Sequence, residues 1–143
     1  MNETRSPLVL IVEDNPTNLM LIVAVLRRAG YRTVTAVDAA TAAARLAEER
    51  PDAIIMDIQL PGEDGLTFTG RLRADPATAA IPIVALTAHA MKGDRERALA
   101  AGCDGFFTKP INTRTFAREL AEVLSRHPGD LSRSVTTERG RGA

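Results

Sequence analysis

Apolar residues along this chain follow two rhythms that alternate. Continuous apolar runs come first in each unit: Leu8-Val9-Leu10-Ile11-Val12, then Ala53-Ile54-Ile55-Met56 and Ile83-Val84-Ala85-Leu86. Runs of this length without polar alternation mark strands buried on both faces. Between them apolar residues recur at helical spacing, as in Leu19, Ile22, Val23 and Leu26, or Phe116, Leu120 and Val123. The pattern predicts strands over 8–13, 31–37, 53–57, 81–87 and 104–108.

Helix boundaries are legible beside them. Asp14, Asn15 and Pro16 start the first helix, because Asp or Asn caps and Pro suits the first helical position. Gly30 ends it as a C-terminal cap. Asp38 caps an Ala-rich helix that runs to about Arg50, and Pro51 breaks it. A third helix follows Gly65 through Leu66, Phe68 and Leu72 and stops before Asp75-Pro76. Residues 92–101 form a polar helix with Gly102 beyond it. Thr113 caps the last helix. From His127 onward the periodicity stops, so 1–6 is a loose lead-in, 7–126 one domain and 127–143 a disordered tail.

Strand-helix repeated five times predicts a parallel sheet with helices on both faces. Right-handed crossovers leave few topologies. The flavodoxin-like order 2-1-3-4-5 sets the first and third strands side by side, with a ligand crevice between their carboxyl ends. Glu13, Asp14 and Asp57 meet there in this fold, and Thr87 and Lys109 end the fourth and fifth strands on the same edge.

Composition then narrows the function. Lys plus Arg and Asp plus Glu both number 18, so bulk charge favours neither nucleic acid nor an anionic membrane. No apolar run reaches transmembrane length, and no signal-type segment opens the chain. A single cysteine, Cys103, makes neither an internal disulfide nor a metal cluster. The expectation is a cytoplasmic protein.

Three carboxylates gathered together need a cation to stay ionised. A hard site of oxygens suits Mg²⁺, which keeps waters and shares phosphate oxygens. Asp57 is then a carboxylate nucleophile able to carry a phosphoryl group. Thr87 can donate a hydroxyl hydrogen bond to a phosphoryl oxygen, and Lys109 supplies a point charge. Phosphoryl transfer asks mainly for positioning and charge neutralisation. Each of these residues has an ordinary reading as a cap or turn residue. Their joint occurrence on one edge of the sheet argues for a site.

The chain resembles the receiver domains of two-component response regulators over about residues 7–126. The resemblance rests on Ile11-Val12-Glu13-Asp14-Asn15, Met56-Asp57-Ile58-Gln59-Leu60-Pro61 with Asp64-Gly65, Ala85-Leu86-Thr87-Ala88, and Ala101-Gly102 through Phe106 to Thr108-Lys109-Pro110. It implies that Asp57 accepts a phosphoryl group from a phosphohistidine on a histidine kinase or phosphotransfer protein. It implies Mg²⁺ held by Asp14, Asp57 and the backbone carbonyl of Gln59, with Glu13 acting mainly through water. Thr87 and Lys109 would hold phosphoryl oxygens, and the Lys109-Pro110 bond would be cis. Phe106 stands at the aromatic switch position, where such domains often carry Tyr, so no ring hydroxyl reports the state here.

The segment Thr87-Ala88-His89-Ala90-Met91-Lys92-Gly93-Asp94 resembles single-domain receivers of phosphorelays and also receivers fused to hybrid kinases. The expected function is a phosphorylation switch or phosphoryl carrier that binds a downstream protein. It would be no enzyme beyond its own phosphorylation and dephosphorylation. A metal-dependent phosphatase with an Asp nucleophile is the rival of another class. It wants an acid two residues past the nucleophile, where this chain has Gln59. Gln59 and His89 could each modulate water attack on the acyl phosphate, although for His89 a solvent-facing loop residue is the favoured reading. The first helix carries extra apolar residues in Met20, Leu21 and Val25, either core or a docking face.

Overall fold

A computed structural model of the chain describes residues 6–88 and 93–125. Five strands and five helices alternate: β1 Leu8–Val12, α1 Pro16–Arg28, β2 Arg32–Ala36, α2 Ala39–Glu48, β3 Ala53–Asp57, α3 Gly65–Ala74, β4 Ile83–Thr87, α4 Asp94–Ala101, β5 Gly105–Thr108 and α5 Phe116–Ser125. All the strand pairs are parallel, in the order β2-β1-β3-β4-β5. This is the flavodoxin-like order that the sequence pattern predicted.

Every residue of β1, β3 and β4 is buried, which is why these strands read as unbroken apolar runs. Successive side chains point to opposite faces, so the runs feed two cores. Leu10, Val12, Ile54, Met56, Ile83 and Ala85 pack with Ala42 of α2, Phe68 and Leu72 of α3 and Ala98 of α4. Val9, Ile11, Ile55, Val84 and Leu86 pack with Ile22 and Leu26 of α1 and Phe116, Leu120 and Val123 of α5. Truncating a fully buried member such as Leu120 to Ala should cost about 2–5 kcal/mol.

Caps set the three helix starts that follow β1, β2 and β3. Asn15 Oδ1 accepts the Asn18 N–H at 3.0 Å with Pro16 in the first helical position. Asp38 and Asp64 accept from Thr41 and Thr67 at 2.8 and 2.9 Å. At the end of α1, Gly30 adopts φ +100°, and the Tyr31 N–H reaches Leu26 O at 3.0 Å. That conformation strains any side chain, so the glycine terminates the helix.

Several boundaries differ from the sequence reading. α2 stops at Glu48, and β5 starts at Gly105. β4 begins at Ile83, because Pro82 has no N–H for the ladder, although its carbonyl accepts from Ile54 at 2.9 Å. Thr113 does not cap α5. A turn over 113–115 precedes it, and Asn112 is the acceptor: its side chain takes the Arg114 N–H at 3.0 Å and its carbonyl the Phe116 N–H at 2.9 Å. The polar helix starts at Asp94 rather than Lys92, and Lys92 lies outside the described residues. The tail over 127–143 lies outside them as well.

Candidate functional site

β1, β3, β4 and β5 end on one edge of the sheet and deliver the candidate residues together. Glu13 and Asp14 follow β1, Asp57 closes β3, Thr87 closes β4 and Lys109 follows β5. Backbone bonds fix this edge. The Ile58 N–H donates to Leu86 O at 3.0 Å, the Lys109 N–H to Thr87 O at 2.7 Å and the Glu13 N–H to Ala36 O at 2.9 Å. The Lys109-Pro110 bond is cis, as the resemblance implied.

The carboxylates converge. One oxygen from each of Glu13, Asp14 and Asp57 lies within 4.8 Å of the others. Glu13 is fully buried and Asp57 nearly so, whereas Asp14 is exposed. Lys109 Nζ stands 3.0 Å from Asp57 Oδ2 and 2.9 Å from Glu13 Oε1. Asp57 Oδ1 accepts the Gln59 N–H at 2.9 Å, and Glu13 Oε2 accepts the Asn15 N–H at 3.0 Å. Glu13 Oε1 is buried with no aligned hydrogen bond; its approach to Lys109 is an ion pair at an angle too poor for one. Three carboxylates against one ammonium leave two formal negative charges in the cluster.

Burial pushes the Asp57 carboxyl up to about 6 and outweighs the hydrogen bonds from Gln59 and Lys109 that lower it; the Glu13 charge adds to the rise. Burial alone would lower the Lys109 pKa, but the neighbouring Glu13 and Asp57 carboxylates carry it above its ordinary value. The two shifts have different causes: burial raises Asp57, and anionic neighbours that outweigh burial raise Lys109.

Thr87 is buried at the end of β4, one position beyond Leu86, which pairs with Asp57. Phe106 lies on β5 opposite Ala85, and Thr108 lies opposite Thr87. Residues two apart share a face, so Phe106 is on the diagonal from Thr87. It is half-buried against the core that contains Ala98 and Cys103. Gln59 is exposed at the mouth. His89 lies outside the described residues. Cys103 is a buried side chain, and burial raises its thiol to about 11. In α1, Leu19, Val23 and Val25 pack on the core while Met20 is 72% exposed, so the extra apolar residues divide between core and surface.

Two features were missed in the sequence. The first is the direct Glu13–Lys109 ion pair. The second is Gly65, where α3 begins against the end of β3. A Cβ built there would press into the Asp57 carbonyl oxygen and lie 2.9 Å from Ile58 Cα. The Gly65 N–H also donates to Ile58 O at 2.8 Å. The acid-then-glycine pair Asp64-Gly65, which carries part of the family resemblance, was the signal, but the pair alone does not show the close approach.

Comparison with known proteins gives a consistent picture. The family described as response regulator receiver domain matches residues 9–121. The polar-differentiation response regulator DivK of Brucella anthropi is 40% identical over 116 residues, 81% of this chain and 94% of that protein. The sensor protein GacS of Pseudomonas syringae is 38% identical over 139 residues, 95% of this chain but 15% of that protein. Among solved structures, a putative response regulator from Chloroflexus aurantiacus superposes with TM-score 0.81 at 32% identity, covering 85% of this chain and all of that one. The receiver domain of a sensor histidine kinase from Pseudomonas aeruginosa, solved with magnesium coordinated in its active-site cleft, gives TM-score 0.74 at 40% identity, covering 87% and 99%.

Proposed function

The chain belongs to the response regulator receiver family, and from that membership we propose that Asp57 is its phosphoacceptor, charged from a phosphohistidine. The domain acts in signal transduction as a phosphorylation-switched module. The observation that carries the site assignment is the meeting of Asp57 with Glu13, Asp14 and Lys109 at the carboxyl edge of the sheet.

The residues fit a divalent cation. The donors are all hard oxygens, they lie close enough to share one ion, and Glu13 Oε1 is buried without an aligned hydrogen-bond donor. Asp14, Asp57 and the Gln59 carbonyl would hold Mg²⁺, with Glu13 behind them. Bound there, the ion would neutralise the carboxylates and the incoming phosphoryl oxygens.

The chain's own groups supply the rest. A carboxylate oxygen of Asp57 attacks phosphorus as the phosphorus–nitrogen bond to the donor imidazole breaks, and the electron pair leaves with that nitrogen. The Gln59 N–H fixes Asp57 Oδ1 and so orients the carboxylate. Lys109 is already within 3.0 Å of Asp57 and can turn to a phosphoryl oxygen without leaving the crevice. Thr87, buried at the adjacent strand end, is set to donate its hydroxyl to the same group. Dephosphorylation by water would be modulated from the exposed Gln59.

The phosphatase reading is not favoured, because Gln59 cannot act as the general acid. The partners proposed are a histidine kinase or histidine phosphotransfer protein upstream and a protein target downstream, with neither nucleic acid nor membrane. Similarity both to DivK, a response regulator, and to part of GacS, a sensor protein, supports this reading. Among the described residues no helix is long and apolar enough to cross a membrane, and a cytoplasmic site of action is proposed. The test is a phosphotransfer screen against purified histidine kinases, with Asp57→Asn as control. Transfer that persists in the control at the wild-type level would remove Asp57 from the role.

A further inference from the structure

The connection from β3 to α3 carries Gln59 and is tied at both ends. The Gln59 N–H donates to Asp57 Oδ1 at 2.9 Å, and the Gly65 N–H donates to Ile58 O at 2.8 Å. Between these ties Leu60 is buried in the core that holds Phe68, and Gly62 turns the chain at φ +77°. Only Pro61 and Gly62 separate Leu60 from Glu63, and Pro61 has a fixed φ. The position of Glu63 therefore bears on that of Gln59.

Glu63 is gripped from α3. Arg71 Nε donates to Glu63 Oε2 and Nη2 to Oε1, each at 2.7 Å. The pairing is bidentate across eight residues of sequence, and such a fork fixes orientation as well as distance. The guanidinium has a seat of its own: Arg71 Cζ stands 5.1 Å from the centroid of the Phe68 ring, which is buried one turn earlier in the helix. The hydrogen bonds from Arg71 hold the Glu63 carboxyl below its ordinary range, so the pair stays charged at neutral pH. Arg71 is exposed and Glu63 half-buried. An exposed pair adds little to global stability, so what a fixed fork contributes here is the placement of the loop.

We propose that Glu63 and Arg71 are positioning residues for the site: their fork holds the 58–64 loop in the shape that presents the Gln59 backbone to Asp57 and to the metal. This rests on the reading of Asp57 as the phosphoacceptor and of the Gln59 carbonyl as a Mg²⁺ ligand. Without the fork the loop samples other shapes, and the apparent metal affinity falls with the fraction of molecules that keep the binding shape.

The test uses two variants of the full chain that change its charge in opposite senses. Glu63→Gln removes an anion, and Arg71→Met removes a cation while keeping an apolar stem on Phe68. Titration calorimetry with Mg²⁺ should show affinity lowered about threefold to fivefold in both. The double variant should lose no more than either single one, because the same fork is removed. Field effects alone would lower the affinity of Glu63→Gln and raise that of Arg71→Met, and that outcome overturns the proposal. Melting midpoints should stay within about 4 °C of wild type. A fall well beyond that in both variants makes the fork a staple of the whole fold and also overturns it.

Residue-resolved amide exchange on the metal-free protein gives an arm independent of Mg²⁺ and of phosphorylation. There the Gln59 amide should exchange about fivefold faster in each variant, with Ile55 of β3 within about twofold of wild type. Unchanged exchange at Gln59 overturns the positioning role whether or not the site binds metal. Wild-type protein that takes up no Mg²⁺ would instead be a failure of the site reading, and the exchange result still decides the role of the fork.

Discussion

Gly65→Ala should damage this protein in a way that helix propensity alone predicts in the wrong direction. Gly65 opens α3, and replacing a helical glycine by Ala at a compatible site stabilises by about 0.4–1 kcal/mol. The site is not compatible. The new Cβ would meet the Asp57 carbonyl oxygen head-on and lie 2.9 Å from Ile58 Cα and 3.0 Å from Asp57 C, whereas ordinary contact begins at 3.4 Å. All three are backbone atoms, so no side chain can turn aside. α3 and the end of β3 must part by about 1 Å, an overpacking cost of about 1–3 kcal/mol. The Gly65 N–H to Ile58 O bond lengthens with it. The expected net effect is a fall in the unfolding midpoint of roughly 3–10 °C. The same shift moves the Asp57 carboxylate relative to Glu13 and Lys109, and misplacement on this scale costs about a hundredfold in rate. Gly70→Ala is the internal control, since it lies mid-α3 with nothing within 4 Å of the added carbon; it should stabilise by about 0.5–1 kcal/mol. Circular dichroism melts of both variants, with acetyl phosphate labelling rates, make the comparison. A Gly65→Ala protein that melts at or above the wild-type temperature refutes the steric reasoning.

Other perturbations address the crevice directly. Lys109→Met leaves Glu13 and Asp57 facing each other without their ammonium, so the metal-free protein should lose stability, added Mg²⁺ should restore part of it, and acetyl phosphate labelling should fall on the order of a hundredfold; unchanged labelling would contradict the role given to Lys109. Asp57 titrates near 6 in the metal-free fold, above its ordinary 3.8, so its contribution to stability is full below about 3.8 and is lost as pH rises through 6. Metal-free melts of wild type against Asp57→Asn across pH 4–7 should show that slope in the wild type only, and apparent Mg²⁺ affinity by calorimetry should drop below pH 6 as protons compete. Asp14→Ala should weaken Mg²⁺ binding while leaving the fold intact, because Asp14 is exposed; equal affinity would exclude it as a ligand. Phe106→Ala should leave Asp57 labelling close to wild type and weaken phosphorylation-dependent partner binding in a pull-down, and full retention of that binding would remove the ring from the switch.

The strands and their order were legible because burial on both faces writes itself as unbroken apolar runs in 8–12, 53–56 and 83–86. The site residues were legible because a parallel sheet puts its strand ends on one edge, whatever the loops do. What escaped reading depends on contacts between segments distant in sequence. Arg73 meets Gly102, Ala79, Ile81 and Asp104, partners that share no local pattern with it. The Glu13–Lys109 pair joins residues that follow β1 and β5, strands that do not touch in the sheet. Gly65 was visible as the start of the third helix, but its close approach to the Asp57 backbone appears only once α3 is docked. Thr113 lost the cap of α5 to Asn112 because both are capping types one residue apart, and only the fold of the preceding turn decides between them.

The proposed role of Asp57 in a Mg²⁺-dependent phosphoryl switch is tested by acetyl phosphate treatment of the full chain with and without Mg²⁺, followed by mass spectrometry of the intact protein and of its peptides after trapping the acyl phosphate. The expected result is one phosphoryl group per chain, dependent on Mg²⁺, located on Asp57 and absent from Asp57→Asn. A label on another residue, or one that survives in Asp57→Asn at the wild-type level, would contradict it.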